Sequence, residues 1–130
     1  MAITKRKGDL GVAMVMSDAM KKGHKVAIPV GEDWPFDLIV QRNGVLERVQ
    51  CKYTESNGAF VEVKCRSTNG FLDYRYTDKD IDWLAVYDKT TDRCYYLPAS
   101  LLGEGKTELR LRLKPTKKGN YRMAEEFTTF

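Results

Sequence analysis

Apolar positions recur at helical intervals early in this chain and at strand intervals afterwards. Leu10, Ala13 and Met14 form one helical series, and Val12, Val15, Met16 and Ala19 another. The spacing predicts a helix over 8–22, with apolar residues on more than one face and hence packing on several sides. Gly23, directly after Lys21 and Lys22, supplies the stop. Val26-Ala27-Ile28 then reads as a short buried strand closed by Pro29, and 31–35 as a loop. Asp37 opens the apolar run Leu38-Ile39-Val40, and a second run ends Arg48-Val49-Gln50-Cys51-Lys52. Asn43-Gly44 between the two is a strong hairpin signal. Ala59, Val61, Val63 and Cys65 alternate with Phe60, Glu62, Lys64 and Arg66, as a half-buried strand requires. A further short strand is predicted over 71–76 and a helical turn, capped by Thr77, over 77–80. Two strands, 83–87 and 93–97, are expected to pair around a turn, with Pro98 ending the pair. Leu109, Leu111 and Leu113 alternate with Glu108, Arg110, Arg112 and Lys114, leaving one face mostly basic. This order of elements predicts an α/β (α+β) fold: a central mixed sheet with the N-terminal helix packed on one face.

Composition narrows the picture. At 130 residues the expectation is one domain, 1–130, without repeats or linkers. No apolar run approaches the ~18 residues of a membrane span, and no apolar segment follows the basic start Met1–Lys7. A cytoplasmic, nucleoid-associated protein without a membrane partner is expected. The 3 cysteines, Cys51, Cys65 and Cys94, include no CxxC pair, and His24 stands alone. That set argues against a zinc centre and for buried small hydrophobes. The net charge of +4 is mild, but its placement is patchy. Lys5, Arg6 and Lys7 lead the helix, Lys21, Lys22 and Lys25 follow it, and Arg110, Arg112, Lys114, Lys117, Lys118 and Arg122 cluster late. Such patches suit a polyanion.

The hairpin carries the chemistry. Side chains alternate along a strand, so Gln50 and Lys52 share a face. One acid, one amide and one lysine brought together by a hairpin can hold a divalent cation beside a phosphate. Mg²⁺ (or Mn²⁺) takes hard oxygen ligands, often one or two carboxylates with waters and phosphate. Asp37, the Gln50 carbonyl and the Cys51 backbone carbonyl are the candidate metal ligands. Lys52 could steer a water or stabilise developing charge. The competing reading is a strand whose polar residues simply face solvent. Similarly, His24 reads as a surface or capping residue, Trp83 as core, and Trp34 as loop packing rather than a base-stacking wedge. Tyr74, Arg75 and Tyr76 are lesser candidates for DNA contact.

Three short motifs then stand in order: Lys7-Gly8-Asp9-Leu10-Gly11, Asp37-Leu38-Ile39-Val40 and Val49-Gln50-Cys51-Lys52. Asp80-Ile81-Asp82-Trp83 and Cys94-Tyr95-Tyr96-Leu97-Pro98 follow. Together they resemble the PD-(D/E)XK nuclease superfamily, and most closely its group I intron homing endonuclease branch. The resemblance implies a restriction-endonuclease-like core and a metal-dependent endonuclease acting on double-stranded or branched DNA. It gives Asp37 the role of metal-binding acid, Gln50 that of the usual second acid, and Lys52 that of the catalytic lysine. The family's helix acid falls at Val12, so Asp9, one turn earlier, becomes the candidate substitute. Lys5, Arg6, Lys7, Arg110, Arg112 and Lys114 are the expected DNA contacts. Cutting both strands requires two sites, hence a homodimer or homotetramer. Two alternatives stay open: a Holliday junction resolvase of the same fold, and a DNA-binding module that no longer cuts.

Overall fold

A computed structural model describes residues 3–69, 72–117 and 119–130. The expected strand start at Phe71 and the basic residue Lys118 lie outside these. Helix α1 (Ile3–Lys21) leads into β1 (Lys25–Ala27), β2 (Leu38–Arg42) and β3 (Val45–Thr54). Then come β4 (Phe60–Lys64), β5 (Arg66–Asn69), β6 (Leu72–Arg75), β7 (Trp83–Asp88) and β8 (Arg93–Pro98). A 3₁₀ turn, Ala99–Leu102, precedes β9 (Glu108–Arg112), and β10 (Arg122–Met123) precedes a second one, Ala124–Phe127.

The central sheet has five strands in the order β1-β2-β3-β7-β8. Its middle pair, β3 and β7, is parallel, and the other pairs are antiparallel. Leu38, Val40, Val49, Cys51, Ala85 and Tyr96 turn one face of the sheet toward Val15 and Ala19 of α1. Leu84, Val86, Tyr95 and Leu97 turn the other toward Val61, Val63, Leu109 and Leu111. Those last four belong to a three-stranded sheet, β10-β9-β4. With cover on both sides, β7 needs an unbroken apolar run, and Trp83–Tyr87 provides it. Each large aliphatic side chain buried there contributes roughly 1.5–3 kcal/mol. All three cysteines are buried and unpaired. No helix among the described residues is long and apolar enough to cross a membrane.

The predicted hairpin forms around Asn43-Gly44. Asn43 and Gly44 take φ of 51° and 79°, the left-handed pair that a two-residue turn between twisted strands demands. Leu38 therefore sits opposite Val49, and Arg42 opposite Val45.

Three expectations are corrected. Helix α1 starts at Ile3, five residues earlier than the apolar spacing indicates, because its first two turns are polar and carry no periodicity. It is packed on one side only: Gly11, Val15 and Ala19 are its buried residues, while Ile3, Leu10 and Met20 face outward. β1 is an edge strand rather than a buried one. It pairs with β2 alone, so only Val26 is partly covered, and Ile28 is exposed.

Candidate active site

Asp37 precedes β2, and its backbone N–H donates to the Val49 carbonyl (2.9 Å). Leu38 and Val49 are partners on the helix side, so the alternation of side chains sends Asp37, Gln50 and Lys52 to the opposite face. Asp37 and Lys52 are thus brought within electrostatic reach of each other, with Gln50 on the same face. One carboxylate oxygen of Asp37, Oδ2, accepts the Cys51 backbone N–H at 3.0 Å. β3 outruns β2 here, leaving that amide without a strand partner on this side. In a strand the N–H and C=O of one residue point to the same side, so the Cys51 carbonyl opens to the edge occupied by Asp37. The amide of Gln50 is half-buried and makes no hydrogen bond to another described residue.

Lys52 is held by groups that the sequence did not reveal. Its Nζ donates to the Arg66 carbonyl at 3.1 Å and lies 5.2 Å from the centre of the Tyr76 ring. Burial lowers its pKa from the ordinary value, against the attraction of Asp37. Burial raises the pKa of Asp37, against the Cys51 N–H and the Lys52 charge. Tyr76 is buried as well, and that burial raises its pKa despite a hydrogen bond with the Ser67 side chain. Acid and lysine thus each feel the other, in a setting dry enough to weaken both charged forms.

The remaining candidates fall elsewhere. Asp9 is exposed on α1, its carboxylate 3.6 Å from Lys5 Nζ. No hydrogen bond or ion pair among the described residues joins it to Asp37. Val12 packs against the apolar residues on the helix side of the sheet. Lys7 pairs with Glu55 at 2.9 Å and lies over the Tyr53 ring, which brings the basic start of α1 to the end of β3. Arg6 and Lys114 are exposed. Arg112 donates through Nε to the Lys114 carbonyl, and Arg110 lies over Phe60 at 4.6 Å. The β9 face is less basic than its own sequence suggests, because β4 sets Glu62 opposite Arg110, and Lys64 pairs with Glu62 and Glu108. Arg48 is structural: it grips Asp82 through Nε and Nη2 and the carbonyls of Asp78 and Lys79, fixing the turn before β7. His24 is a packing residue, bonded to the Phe130 carbonyl at 2.9 Å and edge-on to its ring.

One helix on a mixed sheet, with an acid and a lysine converging at the edge of a parallel strand pair, defines the restriction-endonuclease-like class of nucleases. Residues 2–130 match the PD-(D/E)XK endonuclease family, and the chain belongs to it. Among solved structures, the bacterial homing endonuclease I-Ssp6803I is similar, with a TM-score of 0.75 and 22% identity. The match covers 97% of this chain and 88% of that one, and is a likeness of fold. No curated protein matches the chain.

Proposed function

We propose that this endonuclease is metal-dependent, hydrolyses phosphodiester bonds in double-stranded DNA, and acts as a homing endonuclease. The observation that carries the reading is the convergence of Asp37, the unbonded Gln50 amide, the Cys51 carbonyl and Lys52 on one sheet edge. Similarity of fold to I-Ssp6803I supports the homing role.

The donor set suits Mg²⁺ or Mn²⁺. All three ligand atoms are hard oxygens, only one of them charged, as befits an ion that keeps several waters. Half-buried Asp37, whose charged form is disfavoured, gains from a cation. Once bound, such an ion supplies Lewis-acid polarisation of the phosphate and a more acidic water. The residues of the chain do the rest. Asp37 and Gln50 orient the edge, and Lys52, fixed by the Arg66 carbonyl and the Tyr76 ring, holds a positive charge where negative charge develops. Lys5, Arg6 and Lys7 lead toward this edge along α1. Arg110, Arg112 and Lys114 offer backbone contacts.

One site per chain cuts one strand per binding event, so a homodimer or homotetramer, which cuts both at once, is part of the reading. The outward apolar side of α1 supports it: Ile3, Leu10, Ala13 and Met20 lie along the side opposite the buried stripe. Running two copies antiparallel sets the Ile3 end of one against the Met20 end of the other.

A second reading has a specific observation behind it. Val12 occupies the place of the helix acid and packs into the core, while Asp9 is engaged by Lys5. A chain so built could bind DNA without cutting it. Supercoiled plasmid with Mg²⁺ or Mn²⁺ decides. Cleavage by the wild type, and its loss in Asp37→Asn and Lys52→Ala without loss of DNA binding, is the expected result. Tight binding with no nicking at any metal concentration would establish the second reading.

A further inference from the structure

Beside the Asp37–Lys52 edge lies a cleft of about 290 Å³, lined by Asp33, Trp34, Pro35, Ser67 and Tyr74. We propose that this cleft receives an unpaired nucleobase of the DNA strand held at Asp37 and Lys52. The proposal rests on the nuclease reading and adds a preference for DNA carrying an unstacked nucleotide near the cut.

Two large aromatic side chains stand half in water here, Trp34 at 51% exposure and Tyr74 at 47%. Their polar ends are already engaged. Trp34 Nε1–H donates to the Val30 carbonyl at 3.0 Å, and the Tyr74 hydroxyl donates to Asp80 at 2.5 Å. What they offer a ligand is therefore ring surface. Each is backed by a buried ring, Trp34 by Phe36 at 5.3 Å and Tyr74 by Tyr76 at 5.6 Å. These contacts and tethers fix the exposed rings before anything binds, which keeps the ordering cost low.

The cleft shares its walls with the candidate site. Trp34 lies three residues before Asp37, a reach of at most ~10 Å. Ser67 follows Arg66, whose carbonyl accepts Lys52 Nζ. Tyr74 lies two residues before Tyr76, whose ring faces that same ammonium. A strand with its phosphate at Lys52 thus passes the cleft within a few nucleotides. The lining favours a base over a phosphate: its charged group is Asp33, an acid, which repels phosphate and can accept from a base N–H. Stacking on an aromatic ring is available to every base. Bases inside a duplex are out of reach, so the occupant must be unpaired or extruded.

The test is fluorescence anisotropy on the full chain without divalent metal at one fixed salt concentration. Two duplexes of the same sequence serve as probes, one fully paired and one with a single unpaired base. The wild type should prefer the second. Trp34→Ala and Tyr74→Ala should each weaken binding to it, by roughly 5- to 150-fold, while leaving the paired duplex unaffected. Tyr74→Phe, which keeps the ring, should keep the preference and so separates stacking from misfolding. Equal wild-type affinity for the two probes, or equal weakening of both by the alanine variants, overturns the cleft assignment. In that event, plasmid cleavage by the wild type would show that the nuclease reading survives alone. Binding to neither probe overturns the cleft assignment, and absence of plasmid cleavage in Mg²⁺ or Mn²⁺ as well would discard both.

Discussion

Asp37 and Lys52 are each moved by burial toward the neutral form, and this sets how the site should answer to pH. On the proposed reading, deprotonated Asp37 would hold the cation and protonated Lys52 would meet the developing charge. The acid sits above its ordinary 3.8 and the lysine below its ordinary 10.5. Cleavage should follow a bell whose acid limb lies above 3.8 and whose alkaline limb lies below 10.5. A pH–rate profile at limiting metal, where protons compete with the cation for Asp37, measures both limbs, and Lys52→Ala should flatten the alkaline one along with the rate. The same shift has a sign for stability. A carboxyl with a raised folded pKa binds its proton more tightly when folded, so stability falls as pH rises through that range. Asp37→Asn removes the penalty and can keep the bond from the Cys51 N–H. It should melt slightly higher than the wild type at neutral pH while cleaving at least ~100-fold more slowly. A lower melting temperature would show that the acid serves the fold instead. That Asp37, Gln50 and Lys52 share a face was readable from sequence, because a strand period and an Asn-Gly turn are local facts. The Arg66 carbonyl was not, since β5 is polar and a backbone oxygen leaves no mark on a sequence. Tyr76 could be noticed as an aromatic near a strand, but only the fold places it against Lys52.

Between elements, the decisive contact is that of α1 on β3. A Cβ on Gly11 would lie 3.2 Å from the Lys52 carbonyl oxygen and 3.3 Å from its carbon. Both surfaces are backbone, so neither can yield as a flexible side chain would. Gly11→Val should push the helix away from the strand that carries Lys52, costing about 1–3 kcal/mol by overpacking, and cleavage should fall with it. Denaturant melts and plasmid assays on the same samples check this, and unchanged stability would mean that α1 is not seated as described. Asp88 performs a comparable task at the C-terminal end of β7. It is fully buried and accepts from the backbone and hydroxyl of both Ser56 and Thr91. Burial alone would raise its pKa, but these donors together hold it below the ordinary carboxylate value. The stability it contributes is present above that value and lost as pH falls through the folded pKa. Asp88→Ala leaves several donors without a partner and should cost about 2–4 kcal/mol while sparing the chemistry of the site. The β7–β8 pair was legible as an apolar run and its return. The second sheet was only half legible: β4 and β9 alternate clearly, yet their pairing is non-local, and it is this pairing that puts acids beside the basic residues of β9.

For the whole molecule, the proposed double-strand cleavage raises the question of how one site per chain would serve two strands. Helix α1 buries one stripe against the sheet and leaves Ile3, Leu10, Ala13 and Met20 outward. Sequence periodicity cannot tell an intramolecular apolar face from an intermolecular one, which is why the helix reads as packed on several sides. On the proposed dimeric reading, a second copy of the chain would supply the missing cover. Charges placed on that face should separate the copies without touching Asp37 or Lys52, which lie across the sheet. Sedimentation of the wild type should give the mass of two or four chains, and Leu10→Glu combined with Met20→Glu should give one. The same double variant should nick plasmid normally but yield far less linear product, because independent single cuts rarely fall opposite each other. Nicking retained and linearisation lost is a pattern that damage to the site cannot produce, since a damaged site loses both. A wild type that sediments as a single chain, or a dissociated variant that still linearises plasmid as well as its parent, would remove α1 from the interface and leave the two cuts to be explained by one molecule binding twice.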